Sequence, residues 1–374
     1  MTGRLCVILA LAAQAQQLPL GRIIDDVACA KDAQERYALY LPSNYTESRA
    51  WPLILAFDPG GRGRRPVEQY QAAAEKFGYI VAGSNISRNG SWQVSMNSAQ
   101  LMGGDVTARF RIDEKRIYTA GMSGGARVAM GVALGTPGVI AGVVASSAAY
   151  PDSKPRKTLP FIVFGTAGTE DFNWLEMRSL DHALTTPHRL EVFEGGHVWL
   201  PSDLAVDAVE WLELEAMKSG RVPKDQARLD SIFAARQTKA NAQSDPYLRF
   251  KALDVLAADF KGIREVTAPA RDKSVKEALK KELAEEDRER RLLGEILAAE
   301  QQLNAREQRS EAFARLSDEW KRLAASANAD TDSANRRIAR RVSRGLAMGA
   351  ADRTKDAEYL KLLSTFRPAR MGAR

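Results

Sequence analysis

The sequence predicts an α/β fold with a mostly parallel sheet flanked by helices, followed by an all-α C-terminal domain. Short apolar segments alternate with helical segments over residues 16–220, which is typical of a parallel sheet with helices on both faces. Strand signals then disappear, and Ala, Leu, Glu, Lys and Arg dominate residues 225–374 at helical spacing. We therefore predict an α/β domain over 16–220 and a helical domain over 225–374, joined by a short polar linker.

The composition is that of a globular protein, with 45% apolar and 27% charged residues. Residues 225–374 hold 31 Lys and Arg against 24 Asp and Glu, which accounts for the whole net charge of +7. An excess spread over long helices is more typical of a solvated face than of a nucleic-acid site, so no nucleic-acid partner is predicted. The helical domain suits a protein partner, a cap over one edge of the sheet or a dimer contact, and all three alternatives stay open.

Residues 1–15 are typical of a secretory signal peptide. Arg4 supplies the basic start, residues 5–13 form an apolar run too short to span a bilayer, and residues 13–15 fit the small-x-small cleavage pattern. We expect a secreted or periplasmic protein without a membrane span; the alternative is a buried first strand. Cleavage leaves Cys29 as the single cysteine, which excludes an internal disulfide.

The elements follow from local patterns. Residues 51–57 form a continuous apolar run, which predicts a strand buried on both faces, and Pro66 opens a helix at its first turn. Strands are predicted at 36–41, 51–57, 79–83, 116–120, 139–145, 160–164 and 188–193. Helices are predicted at 66–77, 100–110 and 201–217. One more is predicted to begin directly after residue 123, and another to end at about residue 184. In the C-terminal part, helices are predicted at 226–240, 246–260, 274–299, 304–325, 334–348 and 354–363.

Ser123 stands at the apex of a Gly-rich turn between a strand and a small-residue helix. Such a turn strains the backbone at its apex, so its neighbours Gly121 and Gly125 must lack side chains. The turn lifts the hydroxyl clear of the sheet and points the N–H of Gly124 at the atom that the oxygen attacks. Ser123 is therefore the predicted nucleophile, and an ordinary strand-to-helix turn is the alternative.

A serine hydroxyl needs a base, and histidine is the best base near neutral pH. Of the three histidines, His197 lies in a Gly-Gly-His turn just after the last predicted strand, where it can reach the carboxyl edge of the sheet. The acid that orients it should lie between nucleophile and base in the chain. Asp171 is the predicted acid and Glu170 the second choice, while helix capping is the structural alternative for Asp171.

The oxyanion of an acyl-transfer reaction needs two donors. The N–H of Gly124 is one. The second is expected from Gly60 or Gly61, in the loop after the strand at 51–57, because glycine lets a backbone N–H approach a substrate closely. A plain turn is the alternative.

Three further side chains lie in loops at the same predicted edge. Trp92 and Trp199 are candidates for an apolar or sugar-stacking wall, with core packing as the alternative. Arg88 is a candidate to hold a substrate carboxylate, with an ordinary turn as the alternative.

Residues 36–217 resemble secreted α/β-hydrolases of the lineage that holds poly(3-hydroxybutyrate) depolymerases, feruloyl and acetyl-xylan esterases and dienelactone hydrolases. The matching pieces are the Gly-Met-Ser-Gly-Gly turn at 121–125, the Gly-Thr…Asp loop ending at Asp171, and Gly-Gly-His197. The resemblance implies serine-dependent hydrolysis of small-molecule or polymeric esters through an acyl-enzyme, with no cofactor and no metal. Related esterases often carry His-Gly where this chain has Asp58-Pro59, so Asp58 must point away or pair with Arg62 or Arg64.

Two other functions stay open. A serine peptidase of the prolyl-oligopeptidase type uses the same turn but normally carries a propeller, which this chain lacks. A non-catalytic binding protein would keep the fold and work through its helical domain.

Overall fold

The structure is a computed structural model that describes residues 18–152, 154, 156–267 and 269–366. The predicted signal peptide, residues 1–15, lies outside the described residues. Eight strands form one sheet. The strands are β1 (Ile23–Ala28), β2 (Arg36–Tyr40), β3 (Trp51–Phe57), β4 (Ile80–Ser84), β5 (Ile112–Met122), β6 (Gly142–Ser146), β7 (Ile162–Gly168) and β8 (His188–Phe193).

The sheet is mostly parallel, which confirms the predicted fold class. Its order is β1-β2-β4-β3-β5-β6-β7-β8. β1 and β2 are antiparallel to their neighbours at one edge, and every other pair is parallel. All seven residues of β3 are buried, because a parallel strand is covered by helices on both faces. Because β3 to β8 are parallel, their carboxyl ends lie at one edge of the sheet.

Five helices cover the two faces of the sheet and enclose two separate hydrophobic cores. One face carries α1 (Arg64–Phe77) and α5 (Ser202–Lys218), and the other carries α2 (Trp92–Arg109), α3 (Gly124–Gly135) and α4 (Trp174–Ala183). This layering leaves only the loops at the strand ends free to build a site.

The described residues after α5 are helical and contain no strand. A core around Phe233 and Phe260 includes the end of α5, and a second core surrounds Trp320. The helices are α6 (Gln226–Asn241), α7 (Pro246–Phe260), α8 (Lys273–Gln302), α9 (Arg309–Ala327), α10 (Ala334–Ala347), α11 (Ala350–Arg353) and α12 (Ala357–Thr365). None of the described helices is both long and apolar enough to cross a membrane.

Some element boundaries differ from the predicted ones. β1 was not predicted, because two adjacent aspartates interrupt its apolar pattern at the sheet edge. α2 begins at Trp92 instead of residue 100, because the Ser91 hydroxyl caps it by accepting the N–H of Val94. Its first two turns are rich in small polar residues, which in sequence look like a loop.

Candidate active site

Ser123 lies in a strained turn between β5 and α3. Its φ of 54° and ψ of −123° place it in a region that residues other than glycine rarely adopt. The turn is fixed by the Ser123 N–H, which donates to the carbonyl of Ser146 at 2.8 Å. A Cβ at Gly121 would overlap the carbonyl oxygen of Gly125, and one at Gly125 would overlap that of Phe57. Backbone crowding therefore requires glycine at both positions.

Three side chains from the ends of three different strands meet at this turn. Ser123 follows β5, Asp171 follows β7 and His197 follows β8. His197 Nε2 lies 2.8 Å from Ser123 Oγ, and His197 Nδ1 lies 2.8 Å from Asp171 Oδ1. Because an ionised carboxylate only accepts hydrogen bonds, Nδ1 carries the hydrogen and Nε2 is free to accept the serine proton.

The two carboxylates of this loop have different surroundings. Asp171 is fully buried, and its Oδ1 also accepts the N–H of Asn173 at 2.9 Å. Its Oδ2 is buried and receives no hydrogen bond from the described part of the chain. Glu170 faces α10 instead, where its Oε1 accepts Arg340 Nη1 at 2.6 Å. Of the two predicted acids, only Asp171 contacts the imidazole.

An aromatic ring covers the imidazole. Phe172 stacks on His197 with ring centroids 3.9 Å apart and an angle of 29° between the planes. The ring restricts the rotation of His197 and keeps water from one face of the Asp171–His197 hydrogen bond.

The expected oxyanion donors are only partly free. The N–H of Gly124 starts α3 and has no acceptor among the described residues. The Gly60 N–H donates to Asp58 Oδ1 at 2.8 Å, and the Gly61 N–H donates to the Asp58 carbonyl at 3.1 Å. Neither N–H is free in this structure, because a buried carboxylate and a tight turn engage both groups, and an oxyanion role for Gly60 or Gly61 stays a prediction.

Asp58 itself is held by donors on several sides. It is fully buried, and it accepts Arg62 Nε at 2.9 Å and Trp199 Nε1 at 2.8 Å. Burial acts to raise the pKa of Asp58, but hydrogen bonds from Arg62, Trp199 and the Gly60 N–H outweigh it and hold the pKa below its usual value. The charge of Asp58 is thus balanced locally, through Arg62 and not Arg64.

Trp199 does not line the open edge. Its side chain is 4% exposed and belongs to the core under α1 and α5. The prediction that Trp199 binds substrate is therefore wrong. Its indole N–H is the donor that Asp58 requires, and this long-range pairing has no local signal in the sequence.

The other two predicted binding residues remain at the surface. Trp92 is 46% exposed. Its ring lies so close to Gly131 that a Cβ built on Gly131 would be 2.5 Å from the nearest ring carbon. It thus covers the second turn of α3. Arg88 is exposed, and its backbone forms an isolated bridge with Gly60. Substrate binding by Trp92 and Arg88 stays a prediction.

The sequence did not single out one polar side chain at this edge. Asn89 lies directly against Gly124, the residue after Ser123. A second glycine after the serine was the only hint in the sequence that something occupies this space. Among the described residues, no group of three or more His, Cys, Asp or Glu side chains is arranged to hold a metal ion.

No protein-family model and no curated protein matches the chain. Solved structures similar to it include a feruloyl esterase module from Clostridium thermocellum, with 14% identity, a TM-score of 0.40, and coverage of 50% of this chain and 85% of that one. An esterase from Pyrobaculum calidifontis has 12% identity, a TM-score of 0.43, and coverage of 54% and 85%. A putative dipeptidyl aminopeptidase IV from Bacteroides ovatus has 15% identity, a TM-score of 0.38, and coverage of 51% and 35%.

Proposed function

We propose that the protein is a serine-dependent carboxylic ester hydrolase that acts through an acyl-enzyme. The observation that carries the proposal is the unbroken chain of contacts from Ser123 Oγ through His197 to buried Asp171, with both links at 2.8 Å. A nucleophile, a base and a group that orients the base are the minimum set for this chemistry.

In the first half-reaction, Ser123 Oγ attacks the ester carbonyl carbon while His197 Nε2 takes the hydroxyl proton. Asp171 holds the imidazole in the productive tautomer and stabilises the imidazolium that forms. The carbonyl oxygen becomes an anion, and the N–H of Gly124 at the start of α3 donates to it. When the intermediate collapses, the C–O bond to the alcohol breaks and His197 returns the proton to the leaving oxygen.

In the second half-reaction, water takes the place of the alcohol. His197 removes a proton from the water, whose oxygen attacks the acyl carbon bound to Ser123. Collapse of this intermediate breaks the bond to Oγ, and the proton on His197 passes to the serine. The acid leaves, and the resting hydrogen bonds are restored.

One observation favours the non-catalytic alternative. The N–H groups of Gly60 and Gly61 are engaged by Asp58, so the loop after β3 offers no free donor. A hydrolase fold that has lost its oxyanion hole would keep the side-chain contacts and bind without turning over.

A fluorophosphonate probe separates the two functions, because it reacts only with an activated serine. We expect labelling of the wild-type protein and none of Ser123→Ala, while Ser364→Ala, which replaces an exposed serine of α12, labels normally. Ester hydrolysis should fall by about 10⁵-fold in kcat for Ser123→Ala. Well-folded wild-type protein that neither labels nor hydrolyses esters would contradict the proposal and support a binding protein.

The substrate class can then be narrowed with p-nitrophenyl esters of increasing acyl length, together with feruloyl and acetyl-sugar esters. Peptide amides in the same panel test the peptidase alternative. We also propose that the protein is exported, as the pattern of residues 1–15 predicts; N-terminal sequencing of the mature protein should begin at residue 16. A partner or dimer contact through residues 225–374 stays a prediction, which the mass of the protein in solution would test.

A further inference from the structure

The site needs a second oxyanion donor that the loop after β3 does not supply. Acyl transfer slows by a factor of about 100 to 1,000 when one of two donors is missing. The free N–H of Gly124 is one donor, and those of Gly60 and Gly61 are engaged. We infer that the side-chain amide of Asn89 is the second donor, an inference that rests on the proposed ester hydrolase.

The backbone of Asn89 is tied to the loop where the missing donor belongs. Its N–H donates to the carbonyl of Pro59 at 2.9 Å, and the preceding residue, Arg88, pairs with Gly60. The segment that follows is held as well, because Ser95 Oγ donates to the Arg88 carbonyl at 3.1 Å. Asn89 therefore stands on a fixed backbone beside the loop after β3.

The side chain of Asn89 reaches from this loop to the turn that carries the nucleophile. A Cβ built on Gly124 would overlap Asn89 Oδ1 and lie 2.9 Å from Asn89 Cγ. The amide thus lies against the α-carbon of Gly124, one bond from the N–H that serves as the first donor. It spans the two elements between which an oxyanion would sit.

The amide is free to donate. Asn89 is exposed, and its side chain makes no hydrogen bond with the part of the chain that the structure describes. A half-turn about χ2 exchanges its oxygen and nitrogen, so the NH₂ group can point at a developing negative charge when substrate arrives. A neutral amide donates without losing a proton and needs no particular pH.

This role also explains the glycine after the nucleophile. Gly124 has a negative φ, so the turn itself tolerates a side chain there, yet any Cβ would displace the Asn89 amide. We therefore expect Gly124→Ala to reproduce the effect of removing the amide.

The decisive variants are Asn89→Ala and Asn89→Asp, with Asn97→Ala as the matched control, because Asn97 is an exposed asparagine of the neighbouring helix α2. With p-nitrophenyl acetate, both Asn89 variants should lose about 100-fold or more in kcat and change KM by less than about 3-fold. Asn89→Asp keeps the shape but has no donor and adds a negative charge, so it should be the slower variant. A boronic acid becomes a tetrahedral anion when it binds to the serine. Its affinity for each variant should fall by the same factor as the kcat of that variant.

A merely structural role for Asn89 would lower the melting temperature and leave kcat of the folded fraction unchanged. Asn89→Asp with kcat within about 3-fold of the wild type would overturn the inference and leave the proposed hydrolase intact. Wild-type protein without Ser123-dependent hydrolysis would overturn both.

Discussion

The two sides of Ser123 are built in different ways. The side that carries the proposed oxyanion donors, here called the oxyanion side, consists of the loops after β3 and β4 and the loop before α5, which are held by one another. The acid side is held from outside, by helix α10 of the C-terminal part, more than 150 residues further along the chain. The helical part therefore contacts the site at one side of Ser123 and not at the other in the described part of the chain.

On the acid side, which is the side of Ser123 that carries Asp171, α10 forms hydrogen bonds and an ion pair with the loop after β7. Arg341 Nη1 donates to the carbonyl of Thr169 at 2.6 Å, while its Nε lies 2.9 Å from Glu289 on α8. Arg340 pairs with Glu170 at 2.6 Å. Further along, Gly345 packs so closely on Phe172 that a Cβ there would lie 3.3 Å from the Cβ of Phe172. The helix thus supports both the acid and the ring that covers His197.

On the oxyanion side, all contacts are local to the α/β part. Asp58 accepts hydrogen bonds from Arg62 and the Gly60 N–H in its own loop, and from Trp199 in the loop before α5. Gly63 N–H donates to Asn85 Oδ1 at 3.0 Å, which ties the loop after β3 to the loop after β4. Changes in the helical part should leave this side untouched.

The strongest test of this asymmetry is Arg341→Met. The Arg341 and Glu289 side chains are only 4% and 2% exposed, so removing the cation leaves an uncompensated buried carboxylate. We expect the free energy of unfolding to fall by about 3–5 kcal/mol, measured by urea denaturation. Adding Glu289→Leu should recover most of that stability, because an apolar pair can replace a buried ion pair.

The double variant separates stability from positioning. Thr169 still lacks its donor, so kcat should stay below the wild-type value although the protein is stable. If both stability and kcat return fully, the hydrogen bond from Arg341 to Thr169 has no role in positioning Asp171.

Asp58→Asn tests the oxyanion side in isolation. An asparagine cannot accept every donor around Asp58, and the free energy of unfolding at pH 7 should fall by about 2–3 kcal/mol. Because the pKa of Asp58 is lowered in the folded protein, its stabilisation is present above the unfolded-state pKa of about 3.9 and is lost as pH falls through the lower folded-state pKa.

The difference between wild type and Asp58→Asn should therefore be largest near neutral pH and shrink below about pH 4. Urea denaturation curves at pH 7 and at pH 3 measure it. A difference that grows as the pH falls would show that the carboxylate is not stabilised by the donors around it.

The smallest effect is expected for a charge on the helical part that touches neither side of the site. Lys321 pairs with Asp318 on α9, and both side chains are more than 60% exposed. Lys321→Ala should change the free energy of unfolding by less than about 0.5 kcal/mol and leave kcat unchanged. A large loss of activity here would mean that the helical part acts by its overall stability and not through α10.

The features of the site that depend on short stretches of sequence were predictable. Glycines around Ser123 reveal a crowded turn, and loops after parallel strands must share an edge, which is why Ser123, Asp171 and His197 could be expected to meet. Their geometry depends on backbone patterns that span only a few residues each.

The contacts between residues that are far apart in the sequence were not predictable. The burial of Trp199 depends on a partner 141 residues away, and the support of Thr169 by Arg341 spans 172 residues. An arginine on a helix looks the same in sequence whether it faces water or the loop that carries Asp171. Nor does a glycine in a loop reveal that its N–H is already engaged, as it is in Gly60.

The central claim is tested most directly by trapping the covalent intermediate. The protein is mixed with p-nitrophenyl acetate and quenched in acid during the first turnover. It is then digested, and the masses of the peptides are measured by mass spectrometry. We predict a burst of p-nitrophenol and an acetyl group on the peptide that carries Ser123, and neither in Ser123→Ala. Hydrolysis that continues in Ser123→Ala at the wild-type rate, with no acetyl group on Ser123 in the wild type, would contradict the account.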